Sequence, residues 1–148
     1  MTLLINPIAD PIQIGCYRND RLVSRQTLDG KASEALLPAL ERLLETYPVT
    51  EILYVNGPGS NMGIKLTYIT LATLSLLKTI PFAGLSAFDL NGGEPIRAMG
   101  KMYFVKEKET IITQKYDEPI SQAFTMPESL TQVHRTDDPT PLYVLPAV

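Results

Sequence analysis

Short apolar runs separated by turn residues open the chain and predict β-strands. The runs cover residues 2–6, 12–17 and 21–28, and the polar tripeptide 18–20 supplies a turn between the last two. Strands joined by so short a turn pair as antiparallel neighbours. The sequence therefore predicts a hairpin or meander at the start of the fold.

Residues 33–46 follow the period of an α-helix instead. Four leucines recur at helical spacing and predict that helix: Leu36, Leu40, Leu43 and Leu44. Ser33 is expected to cap the helix, and Glu34 favours its positively polarised start. Because Pro38 removes one backbone hydrogen bond and crowds the preceding turn, we expect a kink or a late start there.

A continuous apolar run at residues 52–56 predicts a strand covered on both faces, which is typical of a central position in a sheet. The following segment, 61–79, carries only two charges, Lys65 and Lys78, and its apolar residues cover every side of a helix. A helix with so little polar surface is buried on more than one side. A further short apolar strand at 80–86 completes the order βββαβαβ.

Regularity is weaker in the rest of the chain. Residues 101–105 and 110–115 predict a β-hairpin across the charged turn 106–109, and a last extended piece is expected at 141–146. The segment 117–141 is rich in proline and acidic residues. We therefore expect only a small β-rich part after the βββαβαβ unit.

Length and composition fit one domain with a small appendage. A chain of 148 residues, of which 45% are hydrophobic, can bury a core of its own. We expect one unit over residues 1–88 and a reduced C-terminal part over 89–148.

The net charge of -3 provides no broad basic field of the kind that binds a phosphate backbone. Direct binding of nucleic acid by this chain alone is therefore disfavoured.

Compartment and membrane association can also be judged from the sequence. Cys16 is the only cysteine, which excludes an internal disulfide, suits a reducing compartment and predicts a small buried hydrophobe. The uncharged stretch 66–77 is shorter than the about 20 residues that span a bilayer. The first ten residues lack the pattern of a signal peptide. We expect a cytoplasmic protein without a membrane span.

The segment GPGSNMG, residues 57–63, joins the apolar strand to the second helix and raises the question of a phosphate-binding loop. Its glycine spacing fits neither the Walker pattern nor the dinucleotide fingerprint. Free amides at the helix start still permit an anion, so Gly59, Ser60 and Asn61 are candidates for contact with an anion or a nucleotide. The favoured interpretation is a tight turn in which Ser60 caps the helix and Gly63 allows close packing.

Catalytic chemistry finds little support in the sequence. Metal sites and acid–base pairs built on histidine need more than His134, the only histidine, which lies in a polar segment expected to be exposed. The nucleophile pattern G-x-S-x-G is absent around Ser60. We therefore expect no metal, no cofactor and no catalytic set.

Residues 56–88, NGPGSNMGIKLTYITLATLSLLKTIPFAGLSAF, resemble the signature of the bacterial TsaB family, also called YeaZ. Upstream, KASEALLPALERLL at 31–44 resembles the family's first helix, with Ala32 where the family has histidine. Downstream, IRAMGKMYF at 96–104 is similar to the family's D-A-R-x-G-E-V-Y strand. The likeness covers most of the chain and indicates a short form with a reduced C-terminal part.

The resemblance implies an RNase H-like unit of the actin-like (ASKHA) fold, in agreement with the order βββαβαβ. It also implies a non-catalytic scaffold subunit that binds and stabilises TsaD. TsaD is the catalytic subunit of the complex that makes N6-threonylcarbamoyladenosine at position 37 of tRNA (t6A37). The ATPase TsaE is a further implied partner, and tRNA is expected to be reached only through the complex.

In the family, the two helices of this unit contact TsaD or a second copy, which maps the interface onto 33–46 and 61–79. The predicted interface residues, a mixture of core and contact positions, are Leu36, Leu40, Leu43, Leu66, Ile69, Thr73 and Leu76. The same apolar helices suit either partner, so a heterodimer and a homodimer both stay open.

Two departures from the pattern argue against activity. Where relatives of this fold hold phosphate and metal with an aspartate-containing turn, this chain has Asn6 and Pro7, which lack the carboxylate and the amide proton. Arg97 matches a family arginine, but Ile96 replaces the carboxylate before it. The alternative is a homodimeric protein of the same fold with divergent nucleotide-dependent or peptidase activity.

Overall fold

The computed structural model describes residues 1–142, in which two α-helices pack on one face of a mixed β-sheet. The helices are α1 (Ala32–Thr46) and α2 (Asn61–Lys78). The strands are β1 (Thr2–Asn6), β2 (Ile12–Arg18), β3 (Arg21–Leu28), β4 (Glu51–Gly57), β5 (Phe82–Ser86), β6 (Ile96–Met99), β7 (Met102–Glu107), β8 (Thr110–Lys115) and β9 (Arg135–Thr136). The extended piece expected at 141–146 falls mostly outside the described residues.

Six strands form the main sheet in the order β3-β2-β1-β4-β5-β9. Strands β1, β2 and β3 are antiparallel neighbours, whereas β1, β4 and β5 run parallel, as the helical crossovers between them require. The predicted order βββαβαβ is therefore confirmed. The central position of β4 is confirmed as well, because every residue from Ile52 to Gly57 is buried.

The main sheet has a hydrophobic core on each face. On the helix side, Ile5 and Tyr54 of the sheet pack with Leu40 of α1 and Leu71 of α2. On the other side, the sheet packs against the chain after β5, through residues that include Phe88, Ile96, Phe104, Met126 and Leu130. Because both faces of the sheet are covered, the successive residues Leu3–Ile5 of β1 and Ile52–Val55 of β4 are all apolar.

Helix α1 differs from what its sequence predicts at two points. It begins at Ala32, ahead of Pro38, so the late start, one of the two alternatives expected at Pro38, does not occur. Lys31 occupies the N-cap position, and no side chain caps the helix there, which leaves Ser33 inside the first turn. Pro38 is tolerated because Glu34, whose carbonyl loses its partner, lies on the exposed side of the helix.

The part after β5 builds a second, antiparallel sheet in the order β6-β7-β8. Its β7–β8 hairpin confirms the sequence prediction, although the first strand runs on to Glu107. The chain then returns to the main sheet, where Phe124 and Pro127 accept hydrogen bonds from Gln13 Nε2 (3.0 Å) and Tyr17 Oη (2.7 Å). Neither α-helix of residues 1–142 has the length and the apolar run that a membrane span requires.

The segment before Leu142 is held by the end of β4. Tyr54 Oη donates to the Pro139 carbonyl, and Asn56 Nδ2 donates to the Thr140 carbonyl at 3.0 Å. The Leu142 amide donates to the Asn56 carbonyl at 2.7 Å. Gly57 has a φ of 135°, and a Cβ there would lie 2.8 Å from the Leu142 carbonyl oxygen, so only glycine fits.

Candidate partner interface

Helix α2 has one buried and one exposed apolar face. The buried face consists of Ile64, Thr67, Leu71 and Leu74, which pack on the sheet or against α1. The exposed face follows the spacing of three and four residues that aligns side chains along one side of a helix. We call it the apolar stripe; its residues are Met62, Leu66, Ile69, Thr73 and Leu76.

The stripe leaves large apolar side chains exposed to solvent. Met62 is 70% exposed and Leu76 is 86% exposed, and the neighbouring Leu77 is 73% exposed. Single exposed apolar residues are normal on a protein surface, but a contiguous row of them marks an interaction site. The expectation that α2 needs cover on a second side therefore has a structural basis.

Threonine hydroxyls do not make this face polar. Thr70 and Thr73 donate to the carbonyls four residues earlier, at 2.8 and 2.9 Å. Thr67 is fully buried and donates to the Gly63 carbonyl at 2.8 Å. Because each hydroxyl is bonded to its own helix, a partner would meet mainly methyl groups between Lys65 and Lys78.

The predicted interface residues divide between core and surface. Leu36, Leu40 and Leu43 lie on the inner side of α1, buried in the core. They position that helix and cannot touch a partner directly. Leu66 is partly buried, and the other three residues of the set, all on α2, are exposed. Sequence reasoning omitted three exposed residues from the set: Leu37, Met62 and Leu77. A helical wheel of α2 alone would have included Met62, which lies four residues before Leu66.

A groove separates the C-terminal ends of α1 and α2 and continues the stripe. Its volume is about 470 Å³. Leu44 and Leu74 line its interior, Glu41 and Glu45 belong to the α1 wall, and Leu77 and Lys78 belong to the α2 wall. We call it the C-terminal groove. Neither wall could be recognised from the sequence, because the two segments are distant along the chain.

The glycine turn before α2 is explained by close packing. A Cβ on Gly59 would lie 2.6 Å from Ile8 Cγ2, and one on Gly63 would lie 3.2 Å from the Pro7 carbonyl oxygen. The close approach expected at Gly63 is thus confirmed. Ser60 occupies the N-cap position as expected, but its side chain makes no capping hydrogen bond.

A cleft lies beside this turn. Gly59, Ser60 and Asn61 line it together with Arg97 and Phe104, and its volume is about 470 Å³. Helix α2 has no acidic residue in its first turn, which leaves the helix start electropositive. Contact of these three residues with an anion or nucleotide stays a prediction.

The turn after β1 is built by Asn6 and Pro7. Asn6 is fully buried, and its Oδ1 accepts a hydrogen bond from the Ile8 amide at 3.2 Å. An amide at this position forms a local turn and brings no negative charge. Among residues 1–142, no group of three or more histidine, cysteine, aspartate or glutamate side chains is placed to hold a metal.

Cys16 and His134 lie where the sequence predicts them. Cys16 is free and buried in the helix-side core, as expected. His134 is exposed, as expected, and its backbone amide donates to Asp89 Oδ2 at 2.9 Å. Burial raises the pKa of Tyr17 well above its ordinary range, with a smaller contribution from the negative charge of Glu128.

Comparison with solved structures gives the fold class. YeaZ from Pseudomonas aeruginosa is similar with a TM-score of 0.60 and 14% sequence identity, over 82% of this chain and 71% of that one. A structure described as an uncharacterized protein with similarity to peptidase YeaZ from Pseudomonas aeruginosa has a TM-score of 0.57 and 15% identity, over 81% and 68% of the two chains. The chain thus has an α/β fold with a βββαβαβ mixed sheet and a small antiparallel sheet, and this fold resembles that of YeaZ.

No family model matches the chain, and no curated protein matches it. At such low identity the structural likeness establishes the fold alone.

Proposed function

We propose that this chain is a non-catalytic scaffold subunit that binds and stabilises a TsaD-like catalytic subunit for the synthesis of t6A37 in tRNA. The observation that carries the proposal is the apolar stripe of α2, an exposed apolar row on a fold that resembles YeaZ. The local sequence likeness at 31–44, 56–88 and 96–104 supports the same assignment.

The stripe supplies the physical reason for association. A partner that covers large exposed side chains such as Met62 and Leu76 removes their apolar surface from water. Each Å² removed contributes roughly 25 cal/mol to the free energy of association. Thr73 adds little desolvation cost, because its hydroxyl already has a partner. A partner with a complementary apolar surface is therefore stabilised against the outer face of α2.

In this role the chain itself carries out no chemistry. Asn6 lacks the carboxylate that would hold a metal, and Pro7 lacks an amide proton for phosphate. The catalytic groups would belong to the TsaD-like subunit, and ATP hydrolysis to a TsaE-like ATPase. The chain would act in the cytoplasm and reach tRNA only as part of the complex.

A homodimer is the second candidate, favoured by the arrangement of the stripe. Met62 and Leu76 each lie seven residues from Ile69, so two antiparallel copies of α2 would place unlike ends of the stripe together. Such a pairing is self-complementary, as a two-fold interface requires. Because it uses the same surface, it would compete with the TsaD-like subunit.

Deletion of the gene tests the proposed function in the cell. The t6A content of total tRNA, measured by mass spectrometry after digestion to nucleosides, is expected to fall in the deletion strain. Wild-type protein should restore it, whereas Leu76→Glu should not. Unchanged t6A after deletion would refute the scaffold role.

A further inference from the structure

The C-terminal groove combines an apolar interior with two negative charges on one wall. Glu41 and Glu45 lie four residues apart on α1, so their carboxylates project from the same side of the helix. Leu44 and Leu74 provide the apolar surface beside them. A ligand for this groove must satisfy both properties.

This charge arrangement is unfavourable within the free chain. Like charges at positions i and i+4 repel, and Glu45 lies in the last turn of α1, where the helix dipole is negative. Arg42, three residues before Glu45, offsets only part of this repulsion. Helix α1 has no basic residue in its last turn. Lys78 lines the opposite wall, yet the ion pairs found among residues 1–142 include neither glutamate. A cation from outside the chain would remove this repulsion.

Continuity with the apolar stripe indicates the source of that cation. Leu77 on the α2 wall directly follows Leu76, the most exposed large hydrophobic residue of the stripe. A protein that covers the stripe would therefore also cover the groove. A long side chain with an apolar stem and a charged end matches an interior of leucines beside two carboxylates.

We infer that the C-terminal groove receives an arginine or lysine of the protein partner. The stem of this side chain lies along Leu44 and Leu74, and its charged end pairs with Glu41 and Glu45. Arginine fits best, because its planar guanidinium offers several donors to two carboxylates at once. The inference rests on the proposed function and adds the charge that the TsaD-like partner must bring to this position.

Charge reversal in the 148-residue chain tests the inference. Titration calorimetry would measure binding of the TsaD-like subunit to the wild type and to Glu41→Lys/Glu45→Lys at low and moderate salt. We expect the double variant to bind about tenfold more weakly or worse, because reversal turns attraction into repulsion. The wild-type affinity should also fall with added salt, and that of the variant should not.

A matched control has the same change in net charge. Glu107→Lys/Glu109→Lys alters two exposed glutamates of the β7–β8 hairpin, in the sheet on the opposite face from the helices. It should bind like the wild type. Equal weakening in both variants, or none in the groove variant, overturns the inference, and circular dichroism verifies that each variant is folded.

Failure of the inference differs from failure of the proposed function. If the wild type binds the TsaD-like subunit, Leu76→Glu does not, and the groove variant is unaffected, the scaffold role stands and the cation is refuted. If the wild type does not bind at all, both are refuted. If reversal abolishes only self-association, the occupant is a second copy, which contradicts a TsaD-like partner.

Discussion

Leu71 and Leu76 lie on opposite sides of the same helix, the first 1% exposed and the second 86% exposed. Leu71 belongs to the core between α2 and the sheet, whereas Leu76 ends the apolar stripe. Two leucines five residues apart therefore serve different purposes. One stabilises the fold, and the other is available to a partner.

Leu71→Ala should destabilise the chain. Removing a buried leucine side chain costs about 2–5 kcal/mol, because its transfer energy is lost and a cavity remains. Urea unfolding followed by circular dichroism measures the change in the free energy of unfolding. A change below about 0.5 kcal/mol, the range of surface substitutions, would contradict the burial of this residue.

Glu45→Lys should stabilise the free chain while weakening association. A lysine near the C-terminal end of α1 interacts favourably with the helix dipole and forms an i, i+4 pair with Glu41. Because it also lies three residues after Arg42, the net gain is about 0.5 kcal/mol. Thermal unfolding of the isolated chain would show a higher midpoint than the wild type. Glu45→Gln, which removes the charge without reversing it, should give a smaller increase, and a lower midpoint for Glu45→Lys would contradict the prediction.

Gly84→Ala should disturb the segment before Leu142. A Cβ on Gly84 would lie 2.7 Å from Asn56 Cγ and Nδ2, so the amide side chain must move and loses its bond to the Thr140 carbonyl. Crowding of this kind costs about 1–3 kcal/mol. Hydrogen exchange of the Leu142 amide, which donates to the Asn56 carbonyl, should become faster.

Asn56→Ala provides the control for that prediction. With most of the side chain gone, Gly84→Ala should cost clearly less than in the wild type, and a double-mutant cycle measures the difference. If Gly84→Ala lowers the free energy of unfolding equally in both backgrounds, crowding against the Asn56 side chain is not the reason for a glycine at position 84.

Tyr17 should make the fold sensitive to alkaline pH. Burial raises its pKa above the ordinary value of 10.0, and its hydroxyl donates to the Pro127 carbonyl at 2.7 Å. Since the folded state holds this proton more tightly, its stabilisation is complete below the unfolded pKa and is lost as the pH rises through 10 towards the folded value.

Tyr17→Phe isolates this contribution. The free energy of unfolding, measured by urea titration from pH 9 upward, should fall more steeply for the wild type than for the variant. At pH 9 the variant should be less stable by about 1 kcal/mol, because the Pro127 carbonyl loses its partner. Parallel pH profiles would contradict a raised pKa at Tyr17.

The order of strands and helices followed from hydrophobic periodicity. Helix α2 was predicted over 61–79 and spans Asn61–Lys78. The prediction was accurate because a glycine turn marks the start of the helix and a continuous apolar pattern marks its length. By contrast, the strand Arg135–Thr136 has no apolar signature. It exists because its backbone pairs with β5 and its arginine pairs with Glu51, both of which are tertiary contacts.

The candidate interface was less predictable than the fold. Periodicity groups Leu36, Leu40 and Leu43 on one face of α1, but it does not say whether that face meets the sheet or a partner. Packing on the sheet decides this, and it places all three in the core. The C-terminal groove depends on two helix ends that meet only in the folded chain, so no local pattern could predict it.

Co-purification with the TsaD-like subunit of the same organism tests the proposed interface directly. The tagged chain would be co-expressed with that subunit, and light scattering would give the mass of each complex for the wild type, Leu76→Glu and the control Val23→Glu, which alters an exposed apolar residue of β3. A heterodimer with the wild type and the control, but a folded monomer with Leu76→Glu, is the expected result. A complex that forms equally well with Leu76→Glu would contradict the apolar stripe as the binding surface.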